Sequence, residues 1–163
     1  MLDKTTIRPY HSGDAQALMD FLPHAHFLLG DDDFTPGKTS VLDFLFSERG
    51  EILGLLEAEV CTVSSLTQVS PALLVDKVAL YRGYEDEEFV GALLGYLKGQ
   101  AIGLEVDYIF LNGEELPFER ELGFTPSAPV GIYDEIDPDG NLKTLRFLPI
   151  REPKVIPGFF HKL

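Results

Sequence analysis

The sequence predicts one α/β (α+β) domain: a mixed, mostly antiparallel sheet with a central pair of parallel strands and flanking helices. Three observations carry this. Residues 72–94 (ALLVDKVALYRGYEDEEFVGALL) read strand, short turn, helix: Leu73-Leu74-Val75 and Val78-Ala79-Leu80 are β-rich, while Phe89, Val90, Leu93, Leu94 and Leu97 share one helical face. A strand at 106–111 (VDYIFL) follows that helix, so it should run parallel to the first through a right-handed crossover. Two hairpin patterns, 41–47 with 51–63 and 130–136 with 142–147, supply antiparallel neighbours.

A chain of 163 residues suits a single domain that buries roughly 70% of its unfolded surface. Its 27 acidic and 13 basic residues give a formal charge of −14. That balance speaks against nucleic-acid and anionic-membrane partners, which need Lys and Arg to neutralise phosphate, and fits a cationic acceptor. Cys61 is the single cysteine, so no intramolecular disulfide forms, and its place inside a strand run marks it as an apolar filler. The start MLDKTTIRPY lacks the pattern of a signal peptide, and no window approaches ~20 apolar residues. The expectation is a soluble, cytoplasmic protein.

In chain order, residues 4–9 (KTTIRP) form a first strand that Pro9 ends or confines to an edge. Ser12 is the expected cap of a helix whose Ala15, Leu18, Met19 and Leu22 share a face, with Asp14 in its first turn and Pro23 as its stop. Residues 23–40 mix apolar side chains with Gly30, three aspartates, Pro36 and Gly37, and read as a partly ordered loop. His24 and His26 have no third ligand nearby, and Asp31 to Asp33 lack the spacing of a calcium loop, so no metal is expected. Glu48-Arg49-Gly50 makes the first hairpin turn, with glycine supplying a positive φ. Regular alternation in the next strand places Leu53, Leu55, Glu57 and Glu59 on one face, leaving two carboxylates side by side. Residues 64–70 are a polar connection into the central strand.

The helix of about 85–102 should end at Gly103 in a left-handed C′ position, and a further helix should begin near Pro117. Asp137-Pro138-Asp139-Gly140 is a turn sequence for the last hairpin. The domain is thus expected over 1–149. The tail 150–163, with Pro153 and Pro157, should be extended and dock Phe159-Phe160 on the body or on a second subunit of a homodimer.

Two stretches carry a family resemblance. Val78-Ala79-Leu80-Tyr81-Arg82-Gly83-Tyr84 resembles the Leu-Ala-Val-x-Pro-x-Tyr segment that closes the fourth strand of the GNAT acyltransferase superfamily, and Gly91-Ala92-Leu93-Leu94 resembles the body of its next helix. Asn112, Phe118, Leu122, Gly123 and Phe124 match the family's N-x-x-A-x-x-F-Y-x-x-L-G-F spacing. The resemblance implies a sheet splayed at the parallel pair, acetyl-CoA as cofactor and an amine as acceptor. It implies that the backbone of Val78, Leu80 and Tyr81 holds pantetheine. The turn amides from Glu85 through Glu88, Phe89 and Val90 would take the pyrophosphate, and Asn112 and Phe118 would line the arm. Asp76, Glu57 or Glu59 would deprotonate the amine, and Glu119, standing where the family has its Tyr, would return a proton.

The chain departs from the family's Q/R-x-x-G-x-G/A. Glu85, Glu88 and Val90 occupy its marked positions, and Glu85 to Glu88 place four acidic residues where phosphates would sit. Like charges 4 Å apart repel by ~1 kcal/mol in water and ~4 at an intermediate dielectric, so weak or absent acetyl-CoA binding is expected. The sequence therefore keeps two further readings open: a GNAT-like binding module that has lost the cofactor, and an unrelated α/β domain. The nucleotide-loop, dinucleotide, zinc-protease and serine-hydrolase motifs are absent from the sequence.

Overall fold

The computed structural model describes residues 5–31, 41–64, 69–125 and 145–151. In chain order these form β1 (Thr5–Pro9), α1 (Ala15–Phe21), β2 (Ala25–Leu29), β3 (Val41–Glu48), β4 (Glu51–Ser64), β5 (Val69–Tyr81), α2 (Glu87–Gly103), β6 (Tyr108–Asn112) and β7 (Leu145–Pro149). The strands make one seven-stranded sheet in the order β1-β3-β4-β5-β6-β7, with β2 also paired to β5. The β5–β6 ladder is parallel, from Ala72 opposite Tyr108 to Val75 opposite Leu111, and the other ladders are antiparallel. This is the mixed sheet the sequence predicts.

The two helices cover opposite faces. α2 lays Phe89, Val90, Leu93, Leu94, Leu97 and Ala101 on a core that includes Phe46, Leu56, Leu73, Val78, Leu80 and Ile109. Each large apolar side chain so buried stabilises the fold by roughly 1.5–3 kcal/mol. α1 packs Leu18 and Phe21 on Leu45, Ile52, Leu55 and Ala79. Arg8 on the edge strand β1 reaches Asp14 with two hydrogen bonds, at 2.6 and 2.8 Å, fixing the entry to α1. That guanidinium holds the Asp14 carboxyl down at about pKa 2.

Several expectations change. Ser12 does not cap α1: it opens a 3-10 turn, Ser12–Asp14, that leads into α1 and is capped by His11, whose ring accepts from the Gly13 amide while Asp14 accepts from the His11 amide. α1 ends at Phe21, just before Pro23 as expected, and Pro23 itself sits inside a 3-10 turn, Leu22–His24, that leads into β2. Residues 25–29, read as loop, are therefore a strand. Val69 and Ser70, read as connection, already belong to β5. Gly103 stays helical, and the left-handed residue beyond α2 is Glu105, with φ 59°. After β6 there is no helix from Pro117; residues 117–123 form successive turns, with Phe118 left-handed at φ 62°. Cys61 is only half-buried, its thiol 3.6 Å from the Ala72 carbonyl.

Two bulges break the strand alternation read from the sequence. In the β3–β4 ladder Phe46 lies opposite Gly54 and Ser47 opposite Ile52, so Leu53 is an extra residue. It turns into the α2-side core with Leu56 and Ala58, while Leu55 faces α1. In the β4–β5 ladder Glu57 lies opposite Lys77 and Ala58 opposite Val75, so Asp76 is extra. The last hairpin's 130–136 arm, its turn and the tail from 152 lie outside the described residues.

Candidate functional site

The second bulge gathers acid. Asp43 on β3, Glu57 and Glu59 on β4, and Asp76 on β5 come together, with Lys77 directly opposite Glu57. Asp43 and Glu57 share a hydrogen bond, as do Asp76 and Glu59. Burial, then the Asp43 hydrogen bond and charge, push Glu57 up to about pKa 8, against the pull of Lys77. Burial and the charge of Glu59 push Asp76 up to about 7. Glu57 is 7% exposed, and its Oε2 has no hydrogen-bond partner among the described residues. Three sequence candidates, Asp76, Glu57 and Glu59, thus form one constellation, and Asp43 is a member the sequence reading missed.

Asp76 also marks where the sheet changes neighbour. The parallel ladder to β6 stops at Val75 and Leu111, yet β5 runs on to Tyr81. Along that stretch β2 takes the same edge: Leu29 pairs Val78, Phe27 pairs Ala79, His26 pairs Leu80 and Ala25 pairs Tyr81. The edge of Val78, Leu80 and Tyr81 expected to hold pantetheine therefore carries the chain's own strand. A groove of about 480 Å³ lined by Phe21, His24, Ile52 and Tyr81 lies at the far end of β5, five residues or ~16 Å from Asp76, and is not part of the carboxylate site.

The turn before α2 is likewise committed. Asp86 caps the helix, its side chain accepting from the Phe89 amide at 3.1 Å and its carbonyl from the Val90 amide at 3.0 Å. Glu85 accepts from the Gly83 amide and pairs with His26 at 2.7 Å, and the His26 bond holds its carboxyl below the usual range. Glu87 and Glu88 are exposed, and the side chains of Phe89 and Val90 are in the core. Two of the amides expected to meet a pyrophosphate, those of Phe89 and Val90, are thus engaged within the chain. The acidic residues complement the helix dipole, and Asp86 does so as a cap.

Glu119 stands apart. It is 1% exposed and accepts from Arg146 at 2.7 and 2.9 Å and from the Leu116 amide at 2.6 Å. Arg146 also donates to the carbonyls of Gly113 and Glu114. These bonds anchor the 113–119 turns to β7. Phe118 is 39% exposed, and Asn112 ends β6. His24 stacks on Tyr81 with ring centroids 5.1 Å apart.

No family model matches the sequence, and no curated protein matches it. Solved structures do. The ribosomal-protein-S18-alanine N-acetyltransferase of Escherichia coli aligns over 93% of this chain and 99% of its own, with TM-score 0.62 and 17% identity. A GNAT family acetyltransferase from Brucella melitensis, solved with acetyl-CoA, covers 91% and 89%, with TM-score 0.58 and 16% identity. A mutant AtaT toxin, solved with the C-terminus of its antitoxin AtaR and acetyl-CoA, covers 91% and 94%, with TM-score 0.57 and 13% identity. With its single parallel ladder beside a long central strand, and these likenesses along nearly its whole length, the chain has the GNAT fold.

Proposed function

We propose that this chain transfers an acetyl group from acetyl-CoA to an amine, with a carboxylate of the β4–β5 bulge as general base. One observation carries the reading: two carboxyls held at about pKa 7 and 8 sit where the parallel ladder ends. A base titrating near neutrality is matched to taking a proton from an alkylammonium. The freed amine attacks the thioester carbonyl, the C–N bond forms, the C–S bond breaks, and the departing CoA thiolate takes up the proton that the amide nitrogen gives up, leaving as the thiol. The charge of −14 favours a cationic acceptor. The likeness to structures solved with acetyl-CoA supports the choice of donor.

An acetylation screen over amines and polyamines tests this. Turnover should rise with pH through 7–8, and Asp76→Asn should lower it by roughly 10²–10⁴. Background rates from folded protein across the whole screen would refute the reading.

A second reading is a binding module that has lost the donor, for which the observations are the occupied β5 edge and the capped Phe89 amide. It differs in one outcome: acetyl-CoA would leave the backbone amide shifts of the cleft unchanged, while another ligand would move them.

A further inference from the structure

Two strands claim one edge of β5. β6 holds it from Ala72 to Val75, and β2 from Val78 to Tyr81, in antiparallel register. β2 has five residues, and among the described residues it pairs with no strand except β5. Its hold on the body has a particular character. Ala25 and Leu29 are buried, but the polar ties are at the surface: His26 to Glu85 at 2.7 Å with the histidine side chain 45% exposed, and Asp31 to Lys77 at 3.2 Å with the aspartate 76% exposed. Exposed pairs of this kind hold weakly. At the strand's end Gly30 adopts φ +71°, and a Cβ there would stand 2.6 Å from the Asp76 carbonyl oxygen. Its backbone thus lies directly on the bulge that presents the candidate base. The ladder also contains a bulge at Leu28, where Phe27 pairs Ala79 and Leu29 pairs Val78.

We infer that β2 is a displaceable internal strand that occupies the acyl donor's place on β5 and detaches to admit it. This rests on the acyl-transfer reading. An extended, amide-bearing arm adds to a sheet edge by the same backbone hydrogen bonds that a strand uses, so arm and β2 cannot share residues 78–81. Donor binding then includes the cost of detaching β2, and the apparent affinity falls by the fraction of molecules in which the edge is free. The tie from His26 to Glu85 spans from the strand to the turn before α2, so detachment also frees the Glu85 side chain beside that turn.

A reversible lock tests the inference. The Arg82 amide donates to the His24 carbonyl at 3.0 Å, which makes Phe27 and Ala79 a non-hydrogen-bonded pair. Such pairs have Cα atoms ~4.5 Å apart, within disulfide reach. Phe27→Cys with Ala79→Cys, in a Cys61→Ser background, should bind acetyl-CoA at least tenfold more weakly oxidised than reduced, measured by calorimetry on the same preparation. His26→Ala with Asp31→Ala, which leaves the core untouched, should bind roughly 3- to 10-fold more tightly than the native chain. Equal affinity of the oxidised and reduced forms would overturn the inference while leaving acyl transfer intact. If even the loosened variant binds no acetyl-CoA, the donor reading fails. Amide hydrogen exchange then decides the strand: exchange over 25–29 well ahead of β4 and β5 keeps β2 as a detachable unit, and equal protection removes it.

Discussion

Glu57 keeps its proton far into the neutral range because burial, Asp43 and Asp76 outweigh the one nearby cation, Lys77. The sign of the consequence follows by linkage. Between the ordinary 4.5 and about 8 the folded state holds a proton that the unfolded chain has released, so stability falls as pH rises across that window. Glu57→Gln should flatten the limb and leave the variant more stable than the native chain at pH 8 in urea titrations. The slope that remains, from Asp76, should end near pH 7. A native chain equally stable at pH 5 and pH 8 would contradict the assignment. Arg49 offers a second single-residue test. It precedes Gly50 in the β3–β4 turn, and both have positive φ, at 52° and 85°, as a two-residue hairpin turn requires. Asn tolerates that conformation better, so Arg49→Asn should stabilise by ~0.5 kcal/mol, about 1–2 °C in Tm. The glycine was legible at this position. The strained arginine beside it was not, because any residue type can be forced left-handed by a two-residue loop.

At the scale of elements, bulges decide what meets what. A regular hairpin through Arg49-Gly50 would set Asp43 opposite Leu56, whereas the extra residue Leu53 moves it opposite Glu57. The extra Asp76 on β5 completes the cluster. Strand existence and polarity were readable from β-branched runs and turn residues. Register was not, since one inserted residue shifts every later pair and leaves no mark in composition. β2 escaped for a related reason: five residues between a 3-10 turn and a glycine are too few to show a period. Arg146 and Glu119 tie β7 to the turns after β6 through a buried pair, with side chains 8% and 1% exposed. Arg146→Met would leave Glu119 buried without its cation and should cost about 3–5 kcal/mol in denaturant unfolding. A loss below ~1 kcal/mol would show that the pair does not hold these turns to β7.

Across the whole molecule, the GNAT architecture was visible in the sequence because it rests on long periodic segments, β5 and α2 above all, and on the helix between two parallel strands. The state of the proposed donor site was only half visible. Four acidic residues in the turn before α2 announced a departure from the family's phosphate-binding glycines, but the strand laid along β5 comes from residues distant in the chain. Both facts bear on the proposal that the edge of β5 beyond Val75, with the turn before α2, is an acyl-donor site closed by β2. Backbone amide NMR with millimolar acetyl-CoA tests it most directly. The account predicts shifts concentrated in residues 25–30, 76–90 and 110–113, with little change at β1 and in the α1–β4 contact. An unchanged spectrum from the native chain and from the loosened His26→Ala, Asp31→Ala variant alike would contradict it.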